Sequence, residues 1–158
     1  MEQGGAYYEL RGSTPEEVLS GFVKALSVNT AVPAEYIPAE NIPAENLLDA
    51  ILEREALMST GIGRGIALPH PRNHLIKLEK DQFVALAYLE DPVDWHSLDG
   101  IKVDTLLLII SSSAKQHLQT LSRINYFCRQ DNFYKQIKER APLETLLAYI
   151  REEEKKWI

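Results

Sequence analysis

The chain has 158 residues, 45% of them apolar and 25% charged, with a net charge of −6. That length suits one domain with a full core, while the acidic balance excludes nonspecific nucleic-acid binding and favours a basic protein partner. No apolar run approaches the ~20 residues of a membrane span, the first residues lack the basic and apolar parts of a signal peptide, and a single cysteine, Cys128, excludes an internal disulfide framework and fits a reducing cytoplasm.

In chain order, Ala6-Tyr7-Tyr8-Glu9-Leu10 reads as a short strand. Thr14-Pro15-Glu16-Glu17 is a helix start, with Thr14 as N-cap, Pro15 at the first position and Glu17 completing a capping box. Val18, Phe22, Ala25 and Leu26 give that helix its apolar stripe. A five-residue unit then occurs three times, beginning at Pro33, Pro38 and Pro43, each time as Pro-Ala-Glu. Prolines at this spacing break a helix, so residues 31–43 are expected to form a surface loop. Pro43 leads into a helix carrying Leu47, Leu48, Ile51, Leu52, Leu57 and Met58 on one face, with Arg54 near its C-terminus.

The next stretch, residues 59–73, combines glycines at 61, 63 and 65, a short apolar run and His70 between Pro69 and Pro71. The glycines open backbone shapes that other residues avoid and let the chain approach a ligand closely. Ile66, Ala67 and Leu68 read as a buried strand, and the two prolines fix φ on either side of the histidine. A stiffly presented imidazole at a strand end is a candidate reactive group. Residues 83–89 and 103–110 are continuous apolar runs, read as central strands, joined by a turn-rich connection at 91–100. Ser111, Ser112 and Ser113 form a cap cluster before a helix that carries His117, Leu118, Leu121, Ile124, Tyr126, Phe127 and Cys128. Two closing helices are expected at about 132–140 and 142–150, before a charged end.

Strands and helices mixed along one chain predict an α/β fold, a single domain over 1–158 with a mixed, mostly parallel sheet covered by helices on both faces. If the strands at 65–68 and 103–110 run parallel, His70 and His117 lie on one sheet edge, where open α/β folds bind ligands. The N-terminal end of the helix after 113 would then favour an anion of phosphate size between them. Against this stand plainer roles: a histidine near a turn is commonly structural, the three serines serve as caps, His74 and His96 fall in polar connections, and Cys128 reads as an inert core thiol.

The sequence Ser59-Thr60-Gly61-Ile62-Gly63-x-Gly65-Ile66-Ala67-Leu68-Pro69-His70 resembles the active-site signature of enzyme IIA domains of the bacterial phosphotransferase system, in the fructose/mannitol class with its nitrogen-regulatory branch. Leu52-Glu53-Arg54-Glu55, Asp99-Gly100-x-x-Val103-Asp104 and Gln116-His117-Leu118-x-x-Leu121 extend the resemblance over nearly the whole chain. It implies a phosphoryl carrier: His70 accepts the group from the phosphocarrier protein HPr or its nitrogen-branch relative, and an enzyme IIB or a regulated target receives it or responds to it. It also implies Arg54 beside the active histidine, stabilising the phosphoryl group, and His117 as a second, supporting histidine. Phosphoryl transfer to a neutral imidazole asks for these residue types and for no metal or nucleotide. No cofactor, no direct nucleic-acid contact and no membrane insertion are expected, and the location expected is cytoplasmic.

Arg64 and Pro71 depart from the family's habit, Arg64 bringing a cation near the site, and the Pro-Ala-Glu repeat is not a family feature. A regulatory role is favoured over sugar import. The alternative from another class is a regulatory binding module acting by docking. A metal hydrolase built on His70, His74, His96 and His117 fails on spacing, because Pro71 interrupts the helical pair that a zinc site would use.

Overall fold

The computed structural model of the chain describes residues 1–28 and 44–157. Its elements are β1 (Ala6–Leu10), α1 (Pro15–Val28), α2 (Ala44–Leu57), β2 (Gly61–Gly63), β3 (Ile66–Ala67), β4 (Phe83–Val93), β5 (Val103–Ile110), α3 (Ala114–Arg129), α4 (Asp131–Lys138) and α5 (Leu143–Lys155). The expected loop at 31–43 falls outside the described residues.

The strands form one sheet in the order β1-β4-β5-β3-β2. β1 runs parallel to β4 and β3 parallel to β5, whereas β4–β5 and β2–β3 are antiparallel. The sheet is therefore evenly mixed rather than mostly parallel. The cause is the short link between β4 and β5, which returns the chain antiparallel, whereas parallel neighbours need a long crossover. β4 also runs past its expected end at residue 89. Tyr88 pairs with Thr105 and Val93 with Val103, so five residues on one strand span two on the other. The irregular stretch between them lets Pro92 sit in a strand without having to donate to a regular ladder.

Alternation along the central strands divides the interior into two cores. On β5, Leu106, Leu108 and Ile110 face one side with Phe22 of α1 and Ile51 of α2, while Leu107 and Ile109 face the other with Phe127 of α3, Ile137 of α4 and Leu146 of α5. Near-continuous hydrophobic strands thus reflect a sheet covered on both faces. Each fully buried large side chain of this kind stabilises the fold by roughly 1.5–3 kcal/mol.

The helix ends follow local chemistry. Thr14 Oγ1 accepts the Glu17 N–H at 3.2 Å, and the Glu17 carboxylate accepts the Ser13 N–H and hydroxyl, both at 2.8 Å. The reciprocal half of the capping box therefore lands one residue before the N-cap. Of the three serines, Ser113 caps α3, its Oγ accepting the Gln116 N–H at 3.3 Å. Leu57, Met58 and Leu118, read from the sequence as parts of apolar faces, are instead 61%, 71% and 64% exposed.

Candidate functional site

β3 and β5 are parallel neighbours, with Ile66 opposite Thr105 and Ala67 opposite Leu106. The chain keeps this register one step beyond β3, where the Pro69 carbonyl accepts the Ile109 N–H at 2.9 Å. His70 and the start of α3 consequently emerge at the same sheet edge. The His70 and His117 rings lie 4.6 Å apart between centroids, tilted by 45°.

The turn that delivers His70 depends on its glycines. Gly63 has φ of +91°, and a Cβ there would stand 2.9 Å from Asp99 Oδ2; Gly65 has φ of +80° and would meet Lys138 Nζ at 2.6 Å. Both conformations favour glycine. Asp99 holds the turn by accepting the Arg64 N–H at 2.8 Å and the Ile101 N–H at 3.0 Å, and these two bonds pull its carboxyl below the ordinary range. Downstream, the Arg72 N–H donates to the Ala50 carbonyl at 3.2 Å, and Arg72 Nη1 reaches Glu53 at 2.8 Å. The segment carrying His70 is thereby laid along α2.

His70 Nδ1 lies 2.9 Å from the Leu68 carbonyl oxygen. A carbonyl only accepts, so Nδ1 carries the proton and Nε2 is left with its lone pair. Arg54 Nε donates to that lone pair at 3.0 Å, while Arg54 Nη1 donates to the Met58 carbonyl at 2.8 Å. Burial, with the Arg54 charge adding to it, holds His70 below the usual histidine value, against the opposing effect of the Leu68 bond. His117 is pushed down to about 4 by burial first, then by His70, His74 and Arg54. Both rings are neutral at pH 7. With Arg54 the two rings therefore offer an unprotonated nitrogen nucleophile, a guanidinium bonded to it and a second imidazole able to donate a hydrogen bond, a set suited to an anion of developing charge.

The three candidate residues thus come together: Arg54 from α2, His70 beyond β3 and His117 from the first turns of α3. His74 is exposed but close enough to influence His117. His96 instead makes its contacts with Asp94. Cys128 is buried, with its thiol raised to about 12. Arg64 corrects the expectation of a cation near the site. Its guanidinium lies 3.6 Å over the Tyr134 ring, donates to the Cys128 carbonyl at 3.2 Å and faces Asp131 at 3.8 Å. Tyr134 returns a hydrogen bond to the Arg64 carbonyl at 3.1 Å. Among the described residues, no group of three or more His, Cys, Asp or Glu side chains gathers as a metal site, and no helix is long and apolar enough to cross a membrane.

Sequence reasoning missed the polar bracket at the start of α3. Gln116 donates to Glu79 at 2.8 Å and meets Gln82 at 3.5 Å, and the Ser112 hydroxyl reaches Gln82 at 3.4 Å. It also missed that the Leu68 carbonyl is the acceptor that sets the His70 tautomer. No side-chain pattern betrays a backbone carbonyl.

Known proteins give a consistent comparison. The family model for "Phosphoenolpyruvate-dependent sugar phosphotransferase system, EIIA 2" matches residues 9–153. The "Nitrogen regulatory protein" of Bradyrhizobium diazoefficiens is 32% identical over 106 residues, 66% of this chain and 67% of that protein. The protein of the same name from Escherichia coli K12 is 42% identical over 83 residues, 49% of this chain and 48% of that relative. The chain thus spans two thirds of one such relative and about half of another. The crystal structure of nitrogen regulatory protein IIA-Ntr from Neisseria meningitidis superposes with a TM-score of 0.74 at 19% identity, covering 94% of this chain and 93% of that one. That likeness concerns the fold.

Proposed function

The chain belongs to the EIIA type 2 family of the phosphoenolpyruvate-dependent sugar phosphotransferase system, and within it we propose that the protein is a phosphohistidine carrier whose acceptor atom is His70 Nε2. The observation that supports this most directly is the pair of bonds on one imidazole. Leu68 fixes the proton on Nδ1, and Arg54 points at the lone pair of Nε2. The donor is a phosphohistidine on HPr or its nitrogen-branch relative. The donor's P–N bond breaks with its electron pair returning to the donor imidazole, and the His70 Nε2 lone pair forms the new N–P bond. The Nδ1 proton stays where it is, facing the Leu68 carbonyl.

Arg54 must release Nε2 for this step. Its bond to the Met58 carbonyl keeps the guanidinium in place, so its Nε–H turns from the nitrogen to a phosphoryl oxygen without a large movement. His117, neutral across the physiological range, donates an N–H to the same group. Neither residue does covalent chemistry; both stabilise charge spread over the phosphoryl oxygens. Exposed Met58, whose carbonyl holds Arg54, and exposed Leu118, which follows His117, give a protein partner apolar ground to dock on. Onward transfer goes to an enzyme IIB, or the phosphorylated state is read by a regulated protein. The relatives named nitrogen regulatory protein favour the second use.

The test is incubation with phosphoenolpyruvate, enzyme I and either HPr or its nitrogen-branch relative. Acid-labile, base-stable phosphate is expected on wild type and absent from His70→Ala. Lack of label with both donors overturns the carrier reading, and label that persists in His70→Ala overturns the choice of atom. His117→Ala is expected to keep acceptance and to slow onward transfer.

A further inference from the structure

We infer that Glu55 is a positioning residue of this site, holding through Thr60 the strand that presents His70 in register with Arg54; this rests on the carrier reading above. Glu55 follows Arg54 directly on α2. Its Oε1 accepts the Thr60 N–H at 2.8 Å, and its Oε2 accepts the Thr60 hydroxyl at 2.5 Å. Thr60 is 6% exposed. Its Oγ1 accepts the Trp95 indole N–H at 3.3 Å, so the hydroxyl is used as both donor and acceptor.

The chain of bonds then continues towards the reactive ring. The Thr60 carbonyl accepts the Leu68 N–H at 2.9 Å, and the Leu68 carbonyl faces His70 Nδ1 at 2.9 Å. On the other side of the imidazole, Arg54 Nε meets Nε2 at 3.0 Å. Two consecutive helix residues therefore grip opposite sides of one ring. Arg54 does so directly, and Glu55 through the strand whose carbonyl fixes the tautomer. Ser59 braces the same place, donating to the Trp95 carbonyl at 2.5 Å and accepting the Gly61 N–H at 3.1 Å.

A carboxylate suits the position because its two oxygens accept an N–H and an O–H from one residue at once. A plain loop staple would use the same bonds, but its loss would lower stability without altering the state of the ring. A positioning role predicts more. Released from Glu55, Leu68 shifts, the Nδ1–H bond weakens, and Nε2 is no longer held in register with Arg54. A misplacement of this order costs about a hundredfold in a well-oriented transfer.

The experiment uses the whole chain with Glu55→Ala, Glu55→Gln and Thr60→Val. Glu55→Ala is expected to lower the rate constant for phosphoryl acceptance at saturating donor by about 10- to 100-fold while the donor KM changes less than about threefold. Its His70 ¹⁵N spectrum is expected to show a mixture of tautomers, with the ring titrating lower than in wild type because the Leu68 bond is what opposes the effect of burial. Glu55→Gln keeps an acceptor for the Thr60 N–H and recovers most of the rate, whereas Thr60→Val, which keeps that N–H bond but loses the hydroxyl bond, falls between wild type and Glu55→Ala. A wild-type rate in Glu55→Ala or Thr60→Val, or a slowed rate with unchanged His70 spectra and pH profile, overturns the inference. If Glu55→Ala does not fold, Glu55→Gln and Thr60→Val decide it by the same readings. Failure of wild type to take label would overturn the carrier reading alone, since the spectra report the positioning without any transfer.

Discussion

At the scale of single residues, the site is a problem of keeping an imidazole neutral and aimed. Burial beside Arg54 disfavours the charged ring, so the nucleophilic form of His70 persists below the ordinary histidine range. The same fact makes the fold sensitive to acid. In the native chain His117 titrates at about 4, against a reference of 6.5. Between those values the unfolded chain binds a proton that the native chain does not, so stability rises with pH and is lost on acidification through that window. One proton corresponds to a slope of at most about 1.4 kcal/mol per pH unit, reduced here by solvent screening because His117 is partly exposed. Urea denaturation at pH 7 and pH 4.5 should show a smaller acid loss for His117→Gln than for wild type. An equal loss would mean that His117 is not held neutral. The candidate histidine itself stood out because glycine and proline are loud signals, and the Pro69-His70-Pro71 run has few backbone options. The Leu68 carbonyl and the Glu55–Thr60 bonds did not, because they arise from how a strand docks on a helix 5 to 13 residues away in sequence.

At the scale of elements, the β2–β3 turn is held from both sides, and Arg64 shows how. Its backbone has φ of +56°, an unfavourable shape for a residue with a side chain. The side chain offsets that cost by stacking on Tyr134 and bonding to the last turn of α3. The sequence placed this cation near the site because it lies six residues before His70. A left-handed residue between two positive-φ glycines reverses the chain, so that spacing along the sequence says little about direction in space. Arg64→Ala is therefore expected to lower stability by about 1–2 kcal/mol, from the lost cation–π contact and hydrogen bond. Its phosphoryl acceptance should stay within about threefold of wild type, as read by label incorporation. A large loss of acceptance with unchanged stability would return Arg64 to the site. Similar reasoning covers β4. Its apolar run gave away the buried strand but not the far end, because Glu90, Asp91 and Pro92 have turn chemistry. They are carried in the strand only because Val93 buries itself opposite Val103.

At the scale of the whole molecule, the sheet separates two cores and the site joins them. Arg54 comes from α2, which packs on the α1 side, and His117 from α3, which packs on the opposite side. They meet only where β3 ends, because the edge of a sheet is the one place where helices from both faces can reach the same atom. The distance between the two histidines is thus set by both layers, and loosening either one should register at His70. Ile51 on α2 and Ile137 on α4 are 1% and 0% exposed in the two separate cores. Ile51→Val and Ile137→Val should each cost about 0.5–1.5 kcal/mol. Because no core contact is shared, the double variant should be additive within about 0.5 kcal/mol. The effects on transfer should differ. Ile51 lies one helical turn before Arg54 and Glu55, so its truncation lets that turn shift and slows acceptance by several-fold. Ile137 supports α4, which carries no site residue, and its truncation should leave acceptance unchanged. Urea midpoints together with label incorporation decide this. Equal slowing by both substitutions would show that the site responds to overall stability rather than to the seating of α2.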